Sequence, residues 1–190
     1  IKKTAMSDYD SSRRDGLTAI NLMEKDELIS VERSNGNEEV VMVTKNGQAI
    51  KFSEKDCRPM GRATQGVRGM KLSKGDQVLA MMVSKDIHGD ILILTENGFA
   101  KRTAITEYTR QRRGGLGVKT VALTEKKGRV AGSGIIKDEH EIIIITTNGI
   151  LIRIPASSVR RTGRTTQGVK VMDVSEGDLV ASYSIVFPEN

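Results

Sequence analysis

Three Asn-Gly pairs, spaced 51 residues apart, constrain the fold of this 190-residue chain more than any other feature. They are Asn46-Gly47, Asn97-Gly98 and Asn148-Gly149. Each follows a β-branched or aliphatic run, at 40–44, 91–95 and 142–146. Asn and Gly accept the positive φ angles that a tight turn between two twisted strands requires. The sequence therefore predicts three β-hairpins that recur with one fixed period.

The sequence after each turn also repeats. The gap-free copies are 47–67, 98–118 and 149–169, each with a short strand, a basic glycine-containing loop and a Gly-Val pair. Residues 1–20 are interpreted as a further copy without its hairpin, because 2–4 and 8–9 match 101–103 and 107–108. Charged or glycine turn residues introduce further predicted strands at 27–31, 77–83, 129–136 and 179–186. The predicted repeats are approximately 1–46, 47–97, 98–148 and 149–190.

A period near 50 residues with about four short strands per unit is typical of propeller-like proteins. The predicted fold class is therefore all-β, with four-stranded blades in a single repeat domain. Neighbouring blades bury one another's faces, so an open row of four units leaves two uncovered ends. The chain begins just after one hairpin position and ends just before another. We expect strands to be shared between neighbours or supplied by a longer protein, of which this chain is a fragment.

Positive charge is phased with the repeat. The formal net charge is +6 and the pI near 9.5, which indicates a polyanionic partner such as nucleic acid. The segments 1–20, 47–71, 98–120 and 149–170 hold 21 basic and 6 acidic residues, whereas the remainder holds 9 and 18. Mixed charge on one surface loop is ordinary, but this recurrence is not. We predict a basic band around one rim, suited to a bent duplex.

Residue counts disfavour several other kinds of site. The single Cys57 excludes an internal disulfide, and with two histidines it cannot form a zinc site of ordinary spacing. We expect no catalytic or metal-binding residues, because no triad, metal cluster or phosphate-binding loop before a helix is present. Aromatic residues make up 3% and Trp is missing, which favours duplex over single-stranded DNA. No apolar run approaches membrane-spanning length, so we expect a cytoplasmic protein without a membrane partner.

Three residue types have a structural interpretation. Cys57 has no histidine nearby or at an equivalent repeat position, so we interpret it as an incidental thiol. Tyr9 and Tyr108 share a repeat position, which indicates packing between blades. The eight methionines are expected to fill the core.

Residues 111–117 carry a recognisable motif. Their sequence, Gln-Arg-Arg-Gly-Gly-Leu-Gly, resembles the glutamine-arginine-arginine-glycine-glycine-lysine-glycine box of the C-terminal domain of the DNA gyrase A subunit. The loops at 61–67 and 163–169 resemble later repeats of that domain, and the resemblance covers essentially the whole chain. In such a box, glycines allow close backbone approach with exposed N–H donors, and paired arginines supply charge and bidentate donors.

The resemblance implies a β-pinwheel, a propeller-like disc with strands exchanged between neighbouring blades. It also implies non-sequence-specific wrapping of double-stranded DNA, in support of ATP-dependent negative supercoiling by a type II topoisomerase. The implied partners are the gyrase B subunit together with the rest of the gyrase A subunit, in an A2B2 heterotetramer associated with the nucleoid. ATP, magnesium and the strand-cleaving tyrosine would belong to other parts of that enzyme, and this non-catalytic chain would hold no cofactor.

Two departures from the family pattern suggest where the chain lies in such a domain. Leu116 stands where the family box has a basic residue, and the box falls in the third repeat here rather than the first. The resemblance then implies a secondary box in the last four repeats, with the main box upstream of Ile1. One alternative is the equivalent domain of the topoisomerase IV A subunit, which serves DNA binding and substrate choice. Another is a propeller used as a protein-interaction scaffold.

The predicted DNA-binding residues lie in the basic loops and at the strand ends beside them. In and around the box they are Lys101, Arg102, Arg110, Gln111, Arg112, Arg113, Gly114, Gly115, Gly117 and Lys119. In the other copies they are Arg13, Arg14, Arg58, Arg62, Arg68, Arg160, Arg161, Arg164 and Lys170. Because such contacts are made to phosphate, we expect binding that depends on salt and not on base sequence.

Overall fold

The computed structural model describes residues 1–11, 15–85 and 88–188, and in these it contains three antiparallel β-sheets and no α-helix. The strands are β1 (Glu39–Thr44), β2 (Gln48–Ser53), β3 (Val78–Ser84), β4 (Asp90–Thr95), β5 (Phe99–Ala104), β6 (Val118–Lys119), β7 (Val130–Ile136), β8 (Glu141–Thr146), β9 (Leu151–Pro155), β10 (Val169–Lys170) and β11 (Val180–Val186). Short 3-10 helices span Met6–Tyr9, Glu54–Asp56, Ile105–Glu107, Glu125–Lys127 and Ala156–Ser158. The predicted all-β fold class is confirmed.

Each Asn-Gly pair turns the chain between the two central strands of a sheet. The resulting hairpins are β1–β2, β4–β5 and β8–β9. Their turn glycines have φ angles of 77° to 83°, where a side chain would strain the backbone. The Thr44 hydroxyl accepts a hydrogen bond from the Gln48 amide at 3.2 Å, and Thr95 and Thr146 accept the same bond in the other hairpins. The three predicted hairpins are confirmed.

The fourth strand of each of the first two sheets comes from a later part of the chain. The strand orders are β3-β1-β2-β6 and β7-β4-β5-β10. β6 follows the second hairpin but pairs with the first, where Val118 lies opposite Ala49. β10 pairs in the same way with β5, where Val169 lies opposite Ala100. The expected sharing of strands between neighbours is therefore present, and the third sheet, β11-β8-β9, has three strands in the described chain.

The sheets stack face to face through two apolar layers. β4 supplies Ile91 and Ile93 to the layer shared with the first sheet, and Leu92 and Leu94 to the layer shared with the third. Alternate residues of a strand point to opposite faces of its sheet. Because another sheet covers each face of the second sheet, all six residues of β4 are buried. Tyr108 belongs to the first layer and is 1% exposed, as its predicted packing between blades requires.

The sheets fan out from one edge. β3 contacts β7 and β7 contacts β11, so these long strands lie side by side. The exchanged strands β6 and β10 lie at the opposite edge of their sheets. We call this opposite edge the outer side of the array.

The predicted strand at 27–31 is wrong. Residues 26–34 have no regular secondary structure, and Leu28, Ile29 and Val31 are exposed. The equivalent strands β3, β7 and β11 each pair with the first strand of their own hairpin. Residues 1–11 and 15–38 provide no such hairpin strand, so the apolar pattern at 27–31 has no ladder to join.

Cys57 lies in an apolar cluster with Phe52 and Met70, against which Ile1 packs. Burial raises the pKa of its thiol, against the opposing effect of Arg113, so the reactive thiolate is disfavoured. This environment favours the interpretation of Cys57 as an incidental thiol. Within the described parts of the chain, no helix is long and apolar enough to cross a membrane.

Candidate nucleic-acid interface

Within residues 15–85 and 88–188, the basic segments form three loops, each at a junction between successive repeats. We name them junction loop 1 (residues 58–66), junction loop 2 (109–117) and junction loop 3 (160–168). Each leaves its own repeat and runs beside the preceding one. Parallel bridges mark the same position in all three: Lys3 with Pro59, Lys51 with Arg110, and Arg102 with Arg161.

Main-chain hydrogen bonds attach each junction loop to the preceding repeat. The donor amides and their acceptor carbonyls are Met60 to Lys3 at 2.8 Å, Gln111 to Lys51 at 2.8 Å and Thr162 to Arg102 at 2.9 Å. Junction loops 2 and 3 lead directly into the exchanged strands β6 and β10, which lie on the outer side. The loops therefore share one structural position along that side, as the repeat predicts.

A glycine ends each junction loop where the chain comes closest to the strand beneath. Gly117 has a φ of 76°, and a Cβ atom there would lie 2.4 Å from the carbonyl oxygen of Ala49. Gly66 and Gly168 also have positive φ, with a neighbouring carbonyl oxygen 2.6 and 2.7 Å from the Cβ position. Glycine satisfies both constraints because it has no side chain.

In junction loop 2 the two box arginines have different environments. Arg113 folds inward, where its Nε donates to the carbonyl oxygen of Asp56 at 3.0 Å and its Nη1 donates to that of Arg68. Arg112 is exposed and forms no ion pair with any residue in the described ranges. Arg113 therefore anchors the loop to the preceding repeat, whereas the guanidinium of Arg112 is available to an external anion.

The backbone of the box is largely occupied by internal hydrogen bonds. The amide of Gly114 donates to the carbonyl oxygen of Gly69 at 2.7 Å, and the Gln111 amide is also bonded within the protein. The Gly115 carbonyl accepts from the Lys71 amide at 2.8 Å. The expectation that the box glycines expose their amides is therefore wrong at Gly114 and Gly115, whose N–H groups donate to the carbonyl oxygens of Gly69 and Arg112.

Junction loops 1 and 3 share the sequence Gly-Arg-x-Thr-Gln-Gly and the same internal turn. In loop 1 the Thr64 hydroxyl donates to the carbonyl oxygen of Gly61 at 2.9 Å, and the equivalent bond in loop 3 is 2.8 Å long. Arg62 and Arg164, at the second position of this sequence, are half-buried and make no ion pair within the described chain. The equivalent residue of loop 2 is Arg113, whose guanidinium is bonded within the protein. In loops 1 and 3 the guanidinium at this position is therefore left without an internal ion pair.

Lys101 lies beneath junction loop 3 and is 1% exposed. Its Nζ donates to the carbonyl oxygens of Gly163 and Arg164 at 2.6 and 2.7 Å, and to the Thr166 hydroxyl at 3.2 Å. Burial lowers the pKa of Lys101 from 10.5 to about 8, with Glu107 opposing the change and Arg164 reinforcing it. A phosphate at the surface does not reach this ammonium, so we reassign Lys101 from direct DNA contact to the support of the loop.

Arg102 and Arg161 bind carboxylates at the same junction. The Arg161 Nε donates to the buried Asp90 Oδ1 at 3.0 Å. The Arg102 Nη1 lies 3.4 Å from Asp90 Oδ2 and also bonds Asp138, while its Nε donates to the Val159 carbonyl at 2.8 Å. These arginines tie loop 3 to the second sheet, and the carboxylates offset their charge.

The remaining predicted residues lie at or near the surface. Those exposed and without an ion pair in the described ranges are Arg58, Arg68, Arg112, Lys119 and Arg160. Arg110 lies 3.7 Å from Glu39, and Lys170 lies 2.5 Å from Asp173. Arg13 and Arg14 lie outside the described residues.

Lys127, which is not among the predicted DNA-binding residues, is also buried beneath junction loop 3. Its Nζ donates to the Gln167 side chain at 2.8 Å. A signal for it exists, because the equivalent repeat positions are Asp76 and Asp178. A reversal of charge at one repeat position indicates a different local partner.

Comparison with known proteins places this architecture in a family. The family model of the DNA gyrase C-terminal domain, beta-propeller, matches residues 1–35, 38–85, 89–137 and 140–186. The DNA gyrase A subunit of Mycolicibacterium smegmatis is 43% identical over 187 residues, which cover 97% of this chain and 22% of that protein. The chain therefore spans 22% of the length of this relative.

Two solved structures are similar in both fold and sequence. The C-terminal domain of DNA topoisomerase IV has a TM-score of 0.92 at 29% identity, covering 98% of this chain and 58% of that one. The DNA gyrase A C-terminal domain has a TM-score of 0.84 at 29% identity, covering 92% and 59%. Together with the matched repeats, these similarities show that the chain belongs to the DNA gyrase C-terminal domain family, a β-pinwheel domain of type II topoisomerases.

Proposed function

We propose that this chain binds double-stranded DNA without sequence preference and wraps it along the junction loops, as the C-terminal domain of a DNA gyrase A subunit. The observation that carries the proposal is the recurrence of exposed arginines at equivalent junctions, as at Arg58, Arg112 and Arg160. Contacts repeated along an array of fanned sheets follow a curve. A bent duplex meets more of them than a straight one.

Phosphate contacts explain the lack of base preference. The described residues contain no α-helix that could enter a major groove and read base edges. Each phosphate that a Lys or Arg neutralises releases condensed counterions, so affinity falls steeply as salt rises. Bending a site of 20–30 base pairs costs about 1–6 kcal/mol, and contacts at several successive loops offset this cost.

In the proposed context the wrapped DNA presents a positive crossover to a catalytic core and supports ATP-dependent negative supercoiling. The similarity to the DNA gyrase A subunit over the whole chain supports this context. The B subunit, with the remainder of the A subunit, would complete an A2B2 enzyme at the nucleoid in the cytoplasm. ATP and magnesium would act in those other parts, and this chain would take no cofactor.

A duplex titration at several salt concentrations tests the proposal. We expect the variant Arg112→Ala/Arg160→Ala to bind more weakly, with a salt slope about two units shallower. Arg153→Ala is the matched control, because Arg153 is exposed on β9, outside the junction loops, and pairs with Glu141. Relaxed circles religated with bound protein should retain writhe, and the double variant should retain less. Wild-type binding that is indifferent to both loop arginines would reject the proposal in favour of a protein-interaction scaffold.

The equivalent domain of the topoisomerase IV A subunit is the second candidate. The TM-score of 0.92 to that domain favours it, whereas the nearly intact box favours gyrase. The religation experiment separates the two candidates. Duplex binding that leaves little writhe in the circles would assign the chain to DNA binding and substrate choice instead of wrapping.

A further inference from the structure

Two buried lysines, Lys101 and Lys127, hydrogen-bond to junction loop 3. Lys101 and Lys127 are 1% and 7% exposed. Lys101 rises from β5 and binds the carbonyl oxygens of Gly163 and Arg164, together with the Thr166 hydroxyl. Lysine is seldom buried to this degree, because removing an ammonium from water is costly unless polar groups replace the water.

Lys127 holds the next part of the same loop. Its Nζ donates to the carbonyl oxygen of Gln167 at 3.2 Å and to the Gln167 Oε1 at 2.8 Å. The same ammonium lies 4.9 Å from the centre of the Phe99 ring, within range of a cation–π contact. Four loop residues are thus bonded from below: Gly163, Arg164, Thr166 and Gln167.

The lysine positions vary with the type of junction loop. Beneath loop 1, which shares the Gly-Arg-x-Thr-Gln-Gly sequence, the residue equivalent to Lys101 is Lys2, and its Nζ donates to the carbonyl oxygen of Arg62. Beneath loop 2, which carries the box, the equivalent residue is Ile50, 3.6 Å from the Cβ position of Gly115. A lysine therefore lies under each loop whose arginine is left free, and an apolar residue lies under the loop that its own Arg113 anchors.

The second lysine position differs between loops 2 and 3. In the first sheet, beneath loop 2, the equivalent of Lys127 is Asp76. Its Oδ1 accepts from the amides of Asn46 and Gln77, at 3.0 and 2.9 Å, so it serves its own hairpin turn. Only the lysine is long enough to extend from this position to the loop above.

We infer that Lys101 and Lys127 form a clamp that fixes the backbone of junction loop 3 and so positions Arg160 and Arg164 on the duplex path. The inference rests on the proposed function for its consequence in DNA binding. The clamp itself is a property of the protein alone. The lysines act as positioning residues, since their ammonium groups contact loop carbonyls rather than phosphate.

Hydrogen exchange tests the clamp without DNA. In Lys101→Met/Lys127→Met we expect the Thr162 and Thr166 amides, which donate within the junction, to exchange about tenfold faster. Amides of the β4–β5 hairpin should keep their wild-type rates, which establishes that the sheet is intact. Lys126→Met is the matched control, since Lys126 is the exposed neighbour of Lys127. Unchanged exchange in the loop of the folded double variant would overturn the inference.

A double-mutant cycle connects the clamp to binding. We expect Lys101→Met/Lys127→Met to lower duplex affinity about fivefold, and Arg164→Ala to cost much less in that background than in the wild type. Lys127→Arg, which keeps the charge, should restore most of the affinity lost in Lys127→Met. Full additivity of the substitutions would reject the positioning role. If the wild-type chain binds no duplex, the proposed function fails, while the exchange experiment still decides whether the clamp exists.

Discussion

The ring of Tyr183 lies directly against the backbone of Gly132 in the neighbouring sheet. A Cβ atom at position 132 would be 2.4 Å from the ring carbon Cδ1 of Tyr183. The Tyr183 hydroxyl donates to the carbonyl oxygen of Ser133 at 2.5 Å. This contact joins β7 to β11, so it secures the edge from which the sheets fan out.

Gly132→Ala should destabilise the protein, because the added methyl group overlaps the Tyr183 ring. Overpacking of this kind costs about 1–3 kcal/mol of the free energy of unfolding. Chemical denaturation of the variant and the wild type measures the difference. Gly61→Ala is the control, since no atom lies within 4 Å of a Cβ there. Equal losses in both variants would show that the Tyr183 contact is not the cause.

Substitution of the two box arginines should have different effects on DNA binding and on stability. Arg112→Ala is expected to flatten the salt slope of duplex binding by about one unit and to leave stability nearly unchanged. Arg113→Ala should also lower the free energy of unfolding by about 1 kcal/mol, because it leaves two carbonyl oxygens without their donor. Salt titrations combined with denaturation curves check both expectations. A loss of stability on removal of Arg112 would contradict the assigned roles.

Asp178 should contribute to acid unfolding. Burial alone would raise the pKa of its carboxyl group, but hydrogen bonds from Thr146, Thr147 and the amides of Asn148 and Leu179 outweigh this and hold the pKa at about 2. The folded-state pKa lies below the unfolded value of 3.8, so this stabilisation is present above pH 4 and is lost as pH falls towards 2.

Asp178→Asn should therefore show a smaller loss of Tm than the wild type between pH 4 and pH 2. Thermal unfolding across this range is the measurement. Glu176→Gln, at an exposed position in the same turn, serves as control and should follow the wild type. Parallel curves for Asp178→Asn and the wild type would exclude a role for this carboxylate.

Lys101 should make stability depend on pH in the alkaline range, with the same sign as Asp178 in the acid range. Its folded pKa of about 8 lies below the unfolded value of 10.5, so between these values the unfolded chain binds more protons. The contribution of Lys101 to the free energy of unfolding therefore rises with pH across this window. Denaturation at pH 7.5 and 9.5 should show the increase in the wild type and a smaller one in Lys101→Met. An equal increase in both proteins would show that a group other than Lys101 causes the pH dependence.

The hairpins were predictable because their signal is local. An Asn-Gly pair after an apolar run contains the turn and one of its strands, and the 51-residue spacing identified all three copies. The strand at 27–31 was not predictable by the same means. Its apolar pattern resembles that of β3, but a strand needs a partner, and the described N-terminal segment contains no hairpin strand to provide one.

The position of the candidate site was predictable from the sequence, but the separate roles of its basic residues were not. Charge counting locates the basic loops without revealing that Arg113 bonds the carbonyl oxygens of a neighbouring repeat. Lys101 is separated from its acceptor Gly163 by 62 residues, so no local pattern could show that it is covered. The exchanged strand β6 is only two residues long. It is too short to show the alternation of apolar and polar residues from which a pairing partner could be predicted.

The strand exchange has a consequence for protein synthesis. Because Val118 pairs with Ala49, a ribosome must complete the entire second hairpin before the first sheet receives its outer strand. At a translation rate of about 5–20 residues per second, the growing chain leaves that sheet edge open for several seconds. An open edge can pair with a strand of a nascent chain on the next ribosome. Slow elongation through the second hairpin would therefore favour aggregation through a sheet edge that β6 covers in the folded chain.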